Sequence, residues 1–429
     1  MTAESLDRRF LLGAMGGAAG VAALAQITRA GPLNPPPGPI TPTQRPLGEI
    51  EPRTVLSPAT TPGDATAVYV ISQPGSYFLA GPVVGVAGRS GIKITASEVR
   101  LDLRGFSVVG VTGAQDGIVI APPTGSTMRN VAIHDGGVAG WPGSGLAPII
   151  NADASGLRLE RVTFSGNGAD GARVPSTSII TDCHAIGNGG TGFATAEGSV
   201  MTRCSAVQNG SAGISAEINS RLDACYASGN GNVGFGLGPN CIVRNCQSSS
   251  GLHGFSASFS AGVVLESCVA AGCSANGFDL NLLCELRGCI AYSCDGTGFR
   301  INRRSRLIDC ISFNNGAGGI QVIDGNHITG CICTSNGASS AANGPGILLT
   351  GTDNRVEACC LEGNGTGMAA SAAGNFIARN TASGNVVVNW NIAANNKCLV
   401  VAGVNAPAIN GSSGGVSPGS TDPNANYSF

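Results

Sequence analysis

The fold class that this 429-residue sequence predicts is all-β: a single-stranded, right-handed parallel β-helix solenoid with about 21 residues per coil in its central part. The first observation behind this is a cysteine series. Cys183, Cys204, Cys225, Cys246, Cys268, Cys289, Cys310 and Cys331 follow one another in 21-residue steps, with a single step of 22. The second is that the residues around each cysteine repeat with it, as in "DCHAIGNGGTGF", "RCSAVQNGSAGI" and "GCIAYSCDGTGF". The third is composition. Gly is 66 of the residues and charged residues are only 12%, which suits many tight corners and leaves little surface for helix faces.

Aligned coil on coil, the repeats form columns. Three residues before the cysteines stand Ile180, Met201, Leu222, Val243, Leu265, Leu286, Leu307, Ile328 and Val356. Two after stand Ala185, Ala206, Ala227, Ser248, Ala270 and Ala291, and ten after stand Phe193, Ile214, Phe235, Phe278, Phe299 and Ile320, each preceded by Gly. No single coil can bury such residues alone, so stacking must turn them inward as ladders. Five after the cysteines runs an Asn column, Asn167, Asn188, Asn209, Asn230, Asn315, Asn336 and Asn364, with Cys273 and Cys294 substituting in two coils. Asn accepts left-handed backbone and bonds to its neighbours above and below, which predicts a corner. The Gly column predicts a second special position, where φ is positive or another backbone comes close.

Sixteen cysteines would suggest a disulfide framework in a small secreted domain. Here coils lie about 4.8 Å apart, slightly beyond the Cβ separation a disulfide wants. Buried thiols are therefore expected. Tetrahedral metal binding is disfavoured, because ligands one coil apart form a line. No cofactor is expected, and calcium has no supporting motif. A net charge of −2 gives no case for nucleic acid, and no long apolar run follows residue 30.

Residues 1–30 read as an export signal. Asp7-Arg8-Arg9-Phe10-Leu11-Leu12 precedes a weakly apolar run from Gly13, and Ala23-Leu24-Ala25 offers a small-residue cleavage site. The arrangement resembles a twin-arginine signal, departing from it at Asp7, Leu11 and Gly13. It implies an exported protein, in the periplasm, cell envelope or medium, that folds with reduced thiols before leaving the cytoplasm. Residues 31–66 are a Pro-rich linker or strap. The β-helix is expected over residues 67–395, in about a dozen coils. Its early coils are longer, with Leu101, Val131 and Val162 read as equivalent. Residues 396–429 form a tail expected to pack on the helix.

Over residues 67 to about 395 the chain resembles the pectin-lyase-like superfamily of right-handed β-helices. "GSYFLAGPVV", "EVRLDLRGFSVVG" and "DGIVI" are similar to its opening coils. The resemblance implies the fold but no one activity, because this scaffold carries lyases, hydrolases, epimerases and non-enzymes. The Asn-Thr-Asp, Asp-Asp, Gly-His-Gly and Arg-Ile-Lys set of polygalacturonase-like members is absent, as is the Asp-Pro-His-Glu box of mannuronan epimerases. Lys93 and Lys397 are the only lysines, so a lyase mechanism would need Arg, His or Tyr as its base.

The best candidate site is "FRINRRSRLIDC". Arg300, Arg303, Arg304 and Arg306 lie in one coil; stacking sets Asp279 beside Arg300, Glu285 and His327 either side of Arg306, and Arg355 beyond. Bidentate guanidinium contacts suit sugar carboxylates or sulfates, and His327 is the one side chain there that titrates near neutrality. Arg306 and His327 are the candidate catalytic groups; Arg300, Arg303, Arg304 and Asp279 are the substrate-binding candidates. The competing reading is vertical pairing on an outer face, as in the column Asp223, Arg244, Glu266, Arg287. Asp116, His134 and Asp135 sit in the long early coils, where loops form a cleft wall or simply surface turns. Beside the cysteines, Val269, Ile290, Ile311 and Ile332 should point outward, which requires the tail or a partner copy as cover. Two functions stay open: a glycan-binding or structural envelope protein, and a lyase or related enzyme on an acidic polysaccharide.

Overall fold

The computed structural model describes residues 53–148, 154–337, 343–402, 410–411 and 422–429. The export signal and the strap as far as residue 52 lie outside the described residues. From Thr54 onward the chain winds into a right-handed parallel β-helix, and the pairings between its strands are parallel. A typical coil has three short strands, such as Ile179–Thr181, His184–Ile186 and Phe193–Thr195. The first two belong to a 30-stranded sheet and the third to a 16-stranded one. In two early coils the first two strands are continuous, as Ala132–Ala139 and Arg158–Ser165. The 16-stranded sheet corrects the estimate of a dozen coils, because the irregular early and late coils hide their period.

Register also corrects the early alignment. Leu101 pairs with Ile133, and Ile133 with Leu159. Val131 and Val162 therefore belong to two different columns. The tail's described strands extend the stack at its end: Lys397–Cys398 pairs with Phe376–Ala378, and Asn426–Ser428 pairs with Val400–Ala402 and Thr381–Ser383. Tyr427 thereby joins the column of Ile332, Cys360 and Thr381. These tail residues lengthen that column and do not cover it.

Each regular coil turns at three points built alike. A residue with φ near +55° bends the chain, and the next residue points inward. The pairs are Thr177 then Ser178, Asp182 then Cys183, and Gly187 then Asn188, five residues apart. The cysteines are thus corner residues themselves. The left-handed residue in the Asn corner is the one before the asparagine, for example Gln208 before Asn209 and Ser335 before Asn336.

The asparagines serve the corner through their amides. Asn209 Oδ1 accepts from both the backbone N–H and the Nδ2 of Asn188, at 3.1 and 2.9 Å, while Asn209 Nδ2 donates to the Ala185 carbonyl. Repeated coil after coil, this satisfies polar groups that would be costly to bury unpaired. The Gly column is explained by close approach and not by φ. A Cβ on Gly213 would lie 2.6 Å from Asn230 Nδ2 and 2.8 Å from the Gly234 carbonyl oxygen.

The core is a single stack. All nine aliphatic residues preceding the cysteines are buried, each worth about 1.5–3 kcal/mol of transfer free energy. Phe235, Phe255, Phe278 and Phe299 stack face to face at 4.7–4.9 Å. Phe255 was hidden from the sequence count by a local phase change. Its coil runs one residue shorter between Cys246 and Phe255, then gains two in a bulge between Ala257 and Ala261. This accounts for the 22-residue step and leaves Phe259, at the bulge tip, fully exposed.

Candidate functional site

The candidate arginines stand where stacking put them, but around a convex corner. Arg300 lies in Thr297–Arg303 of the 16-stranded sheet, beside Asp279. Arg303 ends that strand, Arg304 is the left-handed corner residue at φ 51°, and Arg306 opens the next strand, Arg306–Ile308. Arg306 pairs in register with Glu285 on one side and His327 on the other. The six candidates therefore divide between two sheets and form a ridge, not a pocket.

Pairing differs along the chain. Arg161 holds Asp135 through Nε and Nη2, Arg203 holds Asp182 at 2.7 and 2.8 Å, and Arg355 holds Glu357 at 2.7 Å twice. In the coil of residues 300–306, by contrast, no guanidinium donates a hydrogen bond. Arg300 stands 3.7 Å from Asp279, Arg306 stands 3.8 Å from Glu285, and Arg303 meets Asp324 at 3.0 Å without hydrogen-bond alignment. Arg304 has no carboxylate partner among the described residues. Four cations in seven residues thus keep donors to spare. The Asp223–Glu266 column is only partly a vertical ladder: Arg244 bonds to Glu266, but Arg287 turns to Glu285 in its own strand.

Next to this ridge is a carboxylate that sequence reasoning missed. Glu357 is buried and clamped by Arg355 and Arg379, with His327 Nε2 3.6 Å away. The hydrogen bonds from Arg355, above all, hold its carboxyl below the ordinary range. The Arg355 guanidinium also lies over the Phe376 ring, 4.6 Å from its centre. His327 Nε2 is itself buried without a hydrogen bond. The signal available in the sequence was Arg355-x-Glu357, two outward positions of one strand directly after the His327 coil.

A second locus is concave. Two adjoining hollows of about 570 and 460 Å³ lie along the 16-stranded sheet and share Pro148, Asp170 and Arg173. Asp116 lines one and Glu217 the other. Each aspartate has a structural duty: Asp116 Oδ1 accepts the Ser144 N–H at 2.7 Å, and Asp170 Oδ1 the Thr191 N–H at 2.8 Å. Asp170 Oδ2 takes Arg173. Of these, sequence reasoning had singled out only Asp116; the repeated Asp-Gly of "QDGIVI" and "ADGARV" was the available clue to Asp170.

Asp102, His134 and Asp135 are the described residues whose donor atoms converge closely enough to suggest a metal site. Their chemistry argues otherwise. Asp102 is bound to Arg53, and Asp135 to Arg161 and to His134 Nδ1. Both carboxylates already face a guanidinium, which repels a cation. Arg161, above all, draws the Asp135 carboxyl down to about 2.

A family model described as "Right handed beta helix region" matches residues 86–221. No curated protein matches the chain. Among solved structures, it is similar to the A-module of the Azotobacter vinelandii mannuronan C-5 epimerase AlgE6, at 15% identity over 83% of this chain and 91% of that one, with a TM-score of 0.40. It is also similar to the tailspike receptor-binding domain of siphovirus 9NA, at 11% identity over 88% and 76%, with a TM-score of 0.45. The class defined is a right-handed parallel β-helix, and its chemistry must be read from this chain's own side chains.

Proposed function

We propose that this is an exported, non-catalytic β-helix rod that binds an anionic polysaccharide through Arg300, Arg303, Arg304 and Arg306. The supporting observation is clustering: four guanidiniums within seven residues donate no hydrogen bond, whereas Arg161, Arg203 and Arg355 each donate two or more to carboxylates. Free planar donors on a convex ridge suit carboxylates or sulfates spaced along a flexible chain, each contact being bidentate. A polysaccharide lying across the ridge needs no deep pocket. The test is retention on pectin and heparin columns. Arg303→Ala with Arg304→Gly should lower the eluting salt concentration sharply, while Arg203→Ala leaves it unchanged. Unaltered retention of the double variant rejects this reading.

A second reading, a polysaccharide lyase, draws on one observation: His327, whose Nε2 has no hydrogen bond, pairs in register with the loosely held Arg306. There Arg306 would neutralise a uronate carboxylate and His327 would take the proton beside it. A panel of uronate polysaccharides, scanned with and without Ca²⁺ for ultraviolet absorbance from unsaturated products, decides this. A flat panel leaves binding as the function.

A further inference from the structure

The cysteine column is continuous. Cys183, Cys204, Cys225, Cys246, Cys268, Cys289, Cys310, Cys331 and Cys359 are free thiols, each at most 2% exposed, one per coil in successive coils. The coils hold this column in register: the Ser205 N–H donates to the Cys183 carbonyl, the Tyr226 N–H to the Cys204 carbonyl, and the Cys225 N–H to Cys246 Sγ at 3.4 Å. Cys273 and Cys294 stand one coil apart in the Asn corner, both buried, with the Asp295 N–H donating to the Cys273 carbonyl. A row of sulfurs cannot offer the converging ligands that a tetrahedral ion needs. It does offer two sulfurs in line, the geometry that monovalent d¹⁰ ions adopt with thiolates, and thiolate is the ligand class that selects them. Coils are about 4.8 Å apart, close to the span of two metal–sulfur bonds placed end to end.

We propose that neighbouring cysteines of this ladder bind thiophilic monovalent cations, copper(I) or silver(I), one ion between two sulfurs. One thiol loses its proton to solvent and forms a metal–sulfur bond. The other donates a lone pair and keeps its proton, so each site is electrically neutral and no electron is transferred. Neutrality matters, because an uncompensated charge would be very costly in this core. The proposal is independent of the glycan reading, since the ladder faces inward and the arginines face out.

The test uses the full chain, reduced, unfolded, and refolded without oxygen in the presence of silver(I) or copper(I). Nine thiols make four separate neighbouring pairs, and Cys273–Cys294 makes one more, so about five ions should remain after gel filtration. X-ray absorption should show two sulfur neighbours per ion, and zinc(II) should not be retained. Replacing every second member (Cys204→Ala, Cys246→Ala, Cys289→Ala, Cys331→Ala) isolates the rest and should cut uptake about fivefold. Should that variant lose its β-sheet circular dichroism, Cys204→Ala with Cys289→Ala should still cut uptake by about two-fifths. Cys360→Ala, the one partly exposed cysteine, should change nothing. Failure to retain the ions, uptake that follows Cys360, uptake undiminished in both ladder variants, or coordination by three or more sulfurs overturns the proposal.

Discussion

Two stretches of the same corner solve one problem differently. Over Asn167–Asn230 each corner is closed by an amide that satisfies the backbone of the neighbouring coil. In the following coils Gly251, Cys273 and Cys294 stand in that place and the amide chain stops, to resume at Asn315. Those coils carry Phe255, Phe278 and Phe299, which stack on one another in a row that begins with Phe235 in the Asn230 coil. Where the corner bonds are fewer, aromatic contact is greater. The solenoid therefore does not depend on one ladder throughout; it needs each coil to be held by something that repeats at the same height.

That contrast can be broken most strongly in the aromatic stretch. Phe278→Ala removes a ring stacked on both sides, and should destabilise by about 3–5 kcal/mol, read as a lower urea midpoint. In the amide stretch, Asn209→Ala leaves the Asn188 N–H and one of its Nδ2 hydrogens without an acceptor. A loss of about 2–3 kcal/mol follows, measurable on the same curve. Cys294→Asn sharpens the comparison. Its backbone N–H already donates to Asn315 Oδ1 at 3.0 Å, so an amide there should extend the lower ladder by one rung and leave stability within about 1 kcal/mol of wild type. If instead Cys294→Asn were as damaging as Asn209→Ala, the two corners would not be interchangeable. The smallest effect belongs to the outer face. Asp135 titrates at about 2 in the fold against an ordinary 3.8, so its pairing with Arg161 supports the fold above the ordinary value and is lost as pH falls toward 2. Both side chains are substantially exposed, and screening keeps the effect small. Arg161→Met should flatten that part of an acid-unfolding profile and leave the neutral midpoint nearly unchanged.

Period and phase were readable because the cysteine column carries both, and every aliphatic residue three positions before a cysteine is buried. Phe255 escaped because a shortened corner and a two-residue bulge nearly cancel in the count. The left-handed positions escaped because Gln208, Ser250 and Ser293 are not residues that advertise positive φ; the register of the stack imposes it on them. The arginine coil was legible as a cluster and as a column. Its hydrogen-bonding state was not, since whether a guanidinium reaches a carboxylate one coil away depends on side-chain rotamers. Glu357 illustrates the same limit: it gathers Arg355 from its own strand, Arg379 from the next coil and His327 from the one before, a convergence that no linear spacing displays.

The bulge at Ala257–Ala261 carries a consequence for how such a chain can change. One coil gives up a residue in a corner, takes two elsewhere, and returns to register by the next cysteine, placing the surplus outside as Phe259. Length is thus negotiable and phase is not. Removing a whole repeat should shorten the rod and leave its neighbours matched, whereas removing a few residues from a strand would turn every later ladder inside out. A lineage of such proteins would be expected to grow and shrink by whole turns, and to try its novelties at the corners.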